Sequence, residues 1–115
     1  MPLPAQEKRV SLRRCASYDR NLVAAAVTAA VQDLAGGWEK IISAGARVLL
    51  KPNLLRPATP EQVVCPHPEL VRAVAQACIN AGAASVRIGD SPGIGTARRV
   101  AERSGIARVA RELGI

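Results

Sequence analysis

Lys51, Asn53, His67 and Asp90 are the side chains with which this sequence could do chemistry, and each stands just outside an apolar run. The run ARVLLK (Ala46–Lys51) breaks off into Pro52 and Asn53, and His67 stands directly before Pro68. SVRIG (Ser85–Gly89) passes into Asp90, Ser91, Pro92 and Gly93, then through Gly95 to Thr96. An ammonium, an amide, the chain's only imidazole and a glycine-bearing loop with free backbone N–H groups are the parts of a small-molecule or anion site. Lys51 is one of three lysines beside thirteen arginines, and Pro52 biases it to an extended conformation that would aim its ammonium. Each residue also has a plain structural use. The Lys51 stem can cover apolar surface, Asn53 can close a turn, His67 can cap a helix, and Asp90–Gly93 is a good turn sequence.

Other chemistries lack their signatures. The loop after Gly89 matches neither the dinucleotide GxGxxG nor the GxxxxGK[ST] phosphate loop. One histidine and several serines establish no catalytic triad, and the residues name no reaction. Cys65 and His67 are two residues apart, too few ligands for a metal site. Cys15, Cys65 and Cys78 fit no disulfide framework and no CxxC motif, so independent reduced thiols are expected, with Cys78 in the core.

The elements that must position these residues follow from periodicity and punctuation. Residues 1–8 read as a flexible leader, and 9–115 as one α/β domain. Arg9–Cys15 alternates Val10 and Leu12 with polar neighbours, as a strand does. Asp19 caps a helix with Val23, Val27, Ala30, Val31 and Leu34 on one face, and Gly36-Gly37 ends it. Ala46–Lys51 is a buried strand, and residues 52–66, with four prolines, are a loop. A second helix starts at Pro68, with Glu69 in its first turn, and ends at Gly82. Its later polar residues Arg72, Gln76 and Asn80 form one narrow solvent stripe. A third strand, Ser85–Gly89, precedes helical segments over about 96–103 and 106–113, broken at Ser104-Gly105.

Strand–helix alternation argues a small, three-stranded, mainly parallel sheet with flanking helices, an incomplete Rossmann-like domain. In such a sheet all strands end at one edge, where ligands bind. Ser17–Asp19, Lys51–Asn53 with His67, and Asp90–Thr96 would meet there. The sequence predicts that Asp90 either pairs with Lys51 when the site is empty or handles a proton or metal when it is filled. It also predicts that a phosphate, sulfate or carboxylate would touch Lys51 and the Ser91–Thr96 backbone.

The net charge of +7 raises nucleic acid as a partner, but thirteen arginines and 21 alanines are what a GC-rich genome produces unprompted. Glu102 and Glu112 interrupt the basic terminal helices, and aromatics for base stacking are missing. Only weak, salt-sensitive DNA binding is expected. No apolar run approaches a membrane span and no signal peptide opens the chain, so a cytoplasmic setting is expected.

The strings VLLKPNLL, PHPELVRAV, VRIGDSPGIGT and SGI, taken in order, resemble the domain of unknown function 362 family. RVSLRRCASYD and LAGGWEKII are similar to that family's N-terminus. The resemblance carries Lys51, Pro52, Asn53, His67, Pro68, Asp90, Ser91, Pro92 and Gly93 onto its motifs, while Cys65-Pro66 stands where the family usually has threonines. It implies a redox-associated protein of unknown activity, represented by its N-terminal part. Any four-iron cluster is implied only for a ferredoxin-like segment absent here, so no cofactor is expected in this chain. Two readings follow. One is a module binding a small anionic molecule at the sheet's carboxyl edge. The other is a non-enzymatic subunit whose apolar helix faces dock another chain. A nearly all-apolar second helix and unpaired sheet edges predict a homo-oligomer, a partner chain or a missing C-terminal portion.

Overall fold

The computed structural model describes residues 8–115. The flexible leader expected over residues 1–8 lies, but for Lys8, outside the described residues. Six regular elements follow one another: α1 (Arg20–Ala35), β1 (Arg47–Leu50), α2 (Pro68–Asn80), β2 (Ser85–Ile88), α3 (Ala97–Arg103) and α4 (Ile106–Leu113). No helix among the described residues is long and apolar enough to cross a membrane.

Local chemistry sets the helix ends. The Asp19 carboxylate accepts from the N–H groups of Asn21 and Leu22, both at 3.0 Å, satisfying two orphan donors of α1. Gly36 closes that helix at φ 80°, a left-handed conformation that glycine takes without strain. Gly105, at φ 81°, makes the break between α3 and α4. A side chain there would also begin 3.3 Å from Pro68, so the break is pressed against the start of α2.

β1 and β2 pair in parallel, with Val48 opposite Val86 and Leu50 opposite Ile88. Those four residues share one face, and α2 packs over it. Ala75, Cys78 and Val86 form a buried cluster there, flanked by Trp38, Val48, Leu50 and Leu113. The Trp38 indole Nε1 is buried without a hydrogen-bond partner among the described residues. A second cluster of Leu54, Val71, Val100 and Ile106 joins the loop after β1 to α2, α3 and α4. The opposite sheet face, with Arg47, Leu49 and Arg87, is exposed.

Two expectations are corrected. The sheet of the described residues has two strands, not three. The Arg9–Cys15 segment follows α1 instead of a strand: Ser11 Oγ donates to Asp33 Oδ2 at 2.7 Å, Arg13 Nε to the same oxygen at 2.9 Å, and Arg9 to the Leu34 carbonyl at 3.3 Å. Polar ties to the helix replace a ladder, and Val10 and Leu12 stay 82% and 90% exposed. The second correction is Arg72, expected in solvent but 7% exposed. It bridges Glu69, at 3.2 Å, and Glu112 of α4, while Arg20 of α1 reaches Glu69 at 3.2 Å. This chain of charges ties three helices together. Burial works against the Arg72 charge, but Glu112 and Glu69 outweigh it and hold the guanidinium above its ordinary value.

Candidate anion site at the carboxyl edge of the sheet

Parallel pairing brings the ends of β1 and β2 to one edge, and the two charges that follow them meet. Lys51 Nζ lies 2.7 Å from Asp90 Oδ1. The partners are unequal: the Lys51 side chain is 66% exposed and that of Asp90 only 7%. Asp90 is fixed by the backbone as well, since its Oδ2 accepts from the Leu54 N–H at 2.9 Å. Lys51 above all, then the Leu54 N–H, holds the Asp90 carboxyl below the ordinary aspartate range against the pull of desolvation. A carboxylate so stabilised is a poor proton acceptor, which argues against general-base work. Lys51 is the solvent-exposed member.

The depressed value has a sign in stability. The Asp90 contribution is complete above the ordinary aspartate range and is lost as pH falls through about 4 toward the lower folded value. Asp33, Glu61, Glu102 and Glu112 are depressed as well, so the whole chain should weaken in acid. Asp90→Asn should flatten part of that acid limb, as read by urea midpoints from pH 3 to 7. An unchanged slope would mean that the pair forms equally in the unfolded chain.

Asn53 is exposed beside this pair, as are Ser91, Gly93, Gly95 and Thr96. One N–H group of the glycine-bearing loop serves the protein itself, that of Ile94, which donates to the Leu55 carbonyl at 3.2 Å. Thr96 Oγ1 accepts from the Arg99 N–H and caps α3. His67 has a defined structural use: its Nδ1 accepts from the Glu69 N–H at 3.1 Å, capping α2. The neutral ring therefore carries its proton on Nε2. That ring stacks on Tyr18, centroids 3.7 Å apart and planes 7° from parallel. The structure thus joins Lys51 to Asp90, and His67 to Tyr18, as two separate pairs.

Sequence reasoning missed Leu54, a buried residue inside the proline-rich loop whose N–H orients Asp90. The adjacent apolar pair Leu54-Leu55 directly after Asn53 was the available signal. Beside Lys51 runs an apolar groove of about 280 Å³, lined by Leu50, Pro52, Leu70 and Val74 among others. No group of three or more His, Cys, Asp or Glu able to hold a metal ion exists among the described residues.

The family model of the domain of unknown function DUF362 matches residues 48–115, which contain β2, all of β1 but Arg47, and Lys51 and Asp90. The chain belongs to this family. A thylakoid-associated protein of Synechocystis sp. is 41% identical over 108 residues, covering 94% of this chain and 33% of the relative. The DUF362 chain therefore spans about a third of that relative's length. No solved structure gives a significant match.

Proposed function

We propose that this DUF362 chain is a module that binds a small anionic molecule at the carboxyl edge of its sheet, with Lys51 as the charged contact. The observation that supports the reading is the asymmetry of the Lys51–Asp90 pair. Asp90 is anchored and nearly buried, whereas the ammonium on its flexible stem is open to solvent. An arriving phosphate or carboxylate can share or take over Lys51 while Asp90 keeps the Leu54 N–H. Asn53, His67 and the Ser91, Gly93, Gly95 and Thr96 stretch are the neighbours that would set selectivity. Competition from Asp90 makes the binding weak for a bare anion, so the natural ligand would gain from an apolar part in the adjoining groove.

The redox association implied by the family resemblance would belong to a segment outside this chain. Its cysteines sit in three different environments: Cys15 exposed, Cys65 half-buried, Cys78 buried with its thiol pushed up by desolvation. A cytoplasmic setting is part of the proposal, beside a relative whose name associates it with thylakoids.

Titration with inorganic phosphate and with acetate, followed by backbone amide shifts, tests the site. Saturable shifts at Lys51 and at Gly93–Thr96 are expected, and Lys51→Ala should abolish them with the unfolding midpoint nearly unchanged. Identical shifts in Lys51→Ala would refute the assignment.

A further inference from the structure

The helix layer of this chain is wider than its sheet. α2 packs against both α1 and α4. Neighbouring helix axes lie about 8–10 Å apart, so the layer's outer axes stand roughly 16–20 Å apart. Two strands at a spacing of about 4.8 Å underlie only its middle. On the β1 side the uncovered floor is the apolar groove of about 280 Å³ that includes Leu50, Leu70 and Val74. Leu70 also borders a groove of about 620 Å³ against Val23, Val27 and Ala30 of α1, whose other wall is the chain's own Cys15–Tyr18 stretch.

The backbone facing that floor has no ladder partner among the described residues. The Ala46 carbonyl accepts from the Ser85 N–H and the Leu50 carbonyl from the Gly89 N–H. Even-numbered residues of this strand therefore turn their polar groups to β2, while Arg47 and Leu49 turn theirs outward. Open edges are usually blunted by charge, proline or cover. Here Pro52 lies past the end of the strand, and Leu49 at its centre is 66% exposed.

We infer that the outer edge of β1 seats an extended strand supplied by the part of the longer family members that this chain does not span. The relative's length is the first argument: this chain matches only 33% of it, leaving ample polypeptide for the seat. Charge is the second. A net +7 and the exposed Arg47 and Arg87 set like charges against each other across any edge-to-edge contact of two copies. The incoming strand adds ladder hydrogen bonds to Arg47 and Leu49 and places alternate apolar side chains on Leu70 and Val74, the β-addition mode of recognition.

Residue-resolved hydrogen exchange on this chain and on the full-length Synechocystis relative tests the inference. Because 108 residues align, the relative has a position matching Leu49. That amide should exchange at least a hundredfold more slowly in the relative than here. Leu49→Pro removes only an outward N–H, so it should leave this chain's unfolding midpoint nearly unchanged, while the matching substitution should lower that of the relative sharply. The exchange comparison stands even if the proline variant fails to fold. Equal exchange in the two proteins overturns the inference. So does concentration-dependent slowing at Leu49 in this chain, which would make the occupant a second copy. Slow exchange shared by Leu49, Val10 and Leu12 in the monomer also overturns it, by assigning the seat to the chain's own N-terminal segment.

Discussion

Leu54→Ala is expected to cost about 2–5 kcal/mol and to loosen the Lys51–Asp90 pair at the same time. Leu54 is 2% exposed, in the cluster with Val71, Val100 and Ile106, so its truncation leaves a cavity bordered by α2, α3 and α4. Its N–H also orients Asp90 Oδ2, so a shift of the loop backbone takes a hydrogen bond from the carboxylate that holds Lys51. Against a total stability of about 5–15 kcal/mol for a domain this size, the loss is a large fraction. Leu55→Ala is the control, because Leu55 is 58% exposed and a surface truncation should stay within about 0.5 kcal/mol. Urea unfolding at neutral pH gives the stabilities, and the Lys51 and Asp90 side-chain resonances report the pair. Equal effects of the two substitutions would show that the loop is not anchored through Leu54.

The second large effect is expected at Arg72. Arg72→Ala should destabilise by about 1–3 kcal/mol, less than the roughly 3–5 kcal/mol of breaking a fully buried pair. The reduction has a structural cause: Glu112 keeps 45% of its side chain in solvent and can be rehydrated, and Glu69 retains Arg20. Arg72→Met restores apolar contacts without the charge and should recover part of the loss, because the long stem packs between α2 and α4 as well as carrying its guanidinium. Chemical denaturation of both variants at low and high salt separates the contributions. The alanine variant should remain destabilised at high salt, since the arginine is shielded from the solution. A loss that vanishes with salt would place Arg72 among ordinary surface charges.

These two positions also mark where the sequence was and was not readable. Helix ends were legible because their causes are local: the Asp19 carboxylate caps the N–H groups just after it, Pro68 opens a helix, and Gly36 and Gly105 accept left-handed turns. The meeting of Lys51 and Asp90 followed from parallel topology, which carries both strand ends to one edge. The number of strands was not legible, because Val10 and Leu12 alternate as a strand residue should while the partner that would pair them is remote in sequence. Asp33, twenty residues on from Arg13, claims that segment instead. Arg72 misled for the same reason: its i, i+4 spacing with Gln76 and Asn80 reads as a wet stripe, yet Glu112 arrives forty residues later to neutralise it. Whatever depends on one residue type in its own turn could be read, and whatever depends on a distant partner could not.

Trp38, the sole tryptophan of a chain that has one tyrosine and no phenylalanine, lies against the Ala75–Cys78–Val86 cluster with its indole N–H unbonded among the described residues. That placement makes it a built-in optical reporter. Selective excitation reports on the packing of Trp38 against that cluster, and an indole whose N–H is buried there should emit toward the blue. Opening of that packing would shift the emission to the red as water reaches the ring, whereas events confined to Lys51 and Asp90 would leave the colour unchanged. Fluorescence and amide shifts recorded on one sample can therefore distinguish a disturbed edge from a disturbed core without any added label.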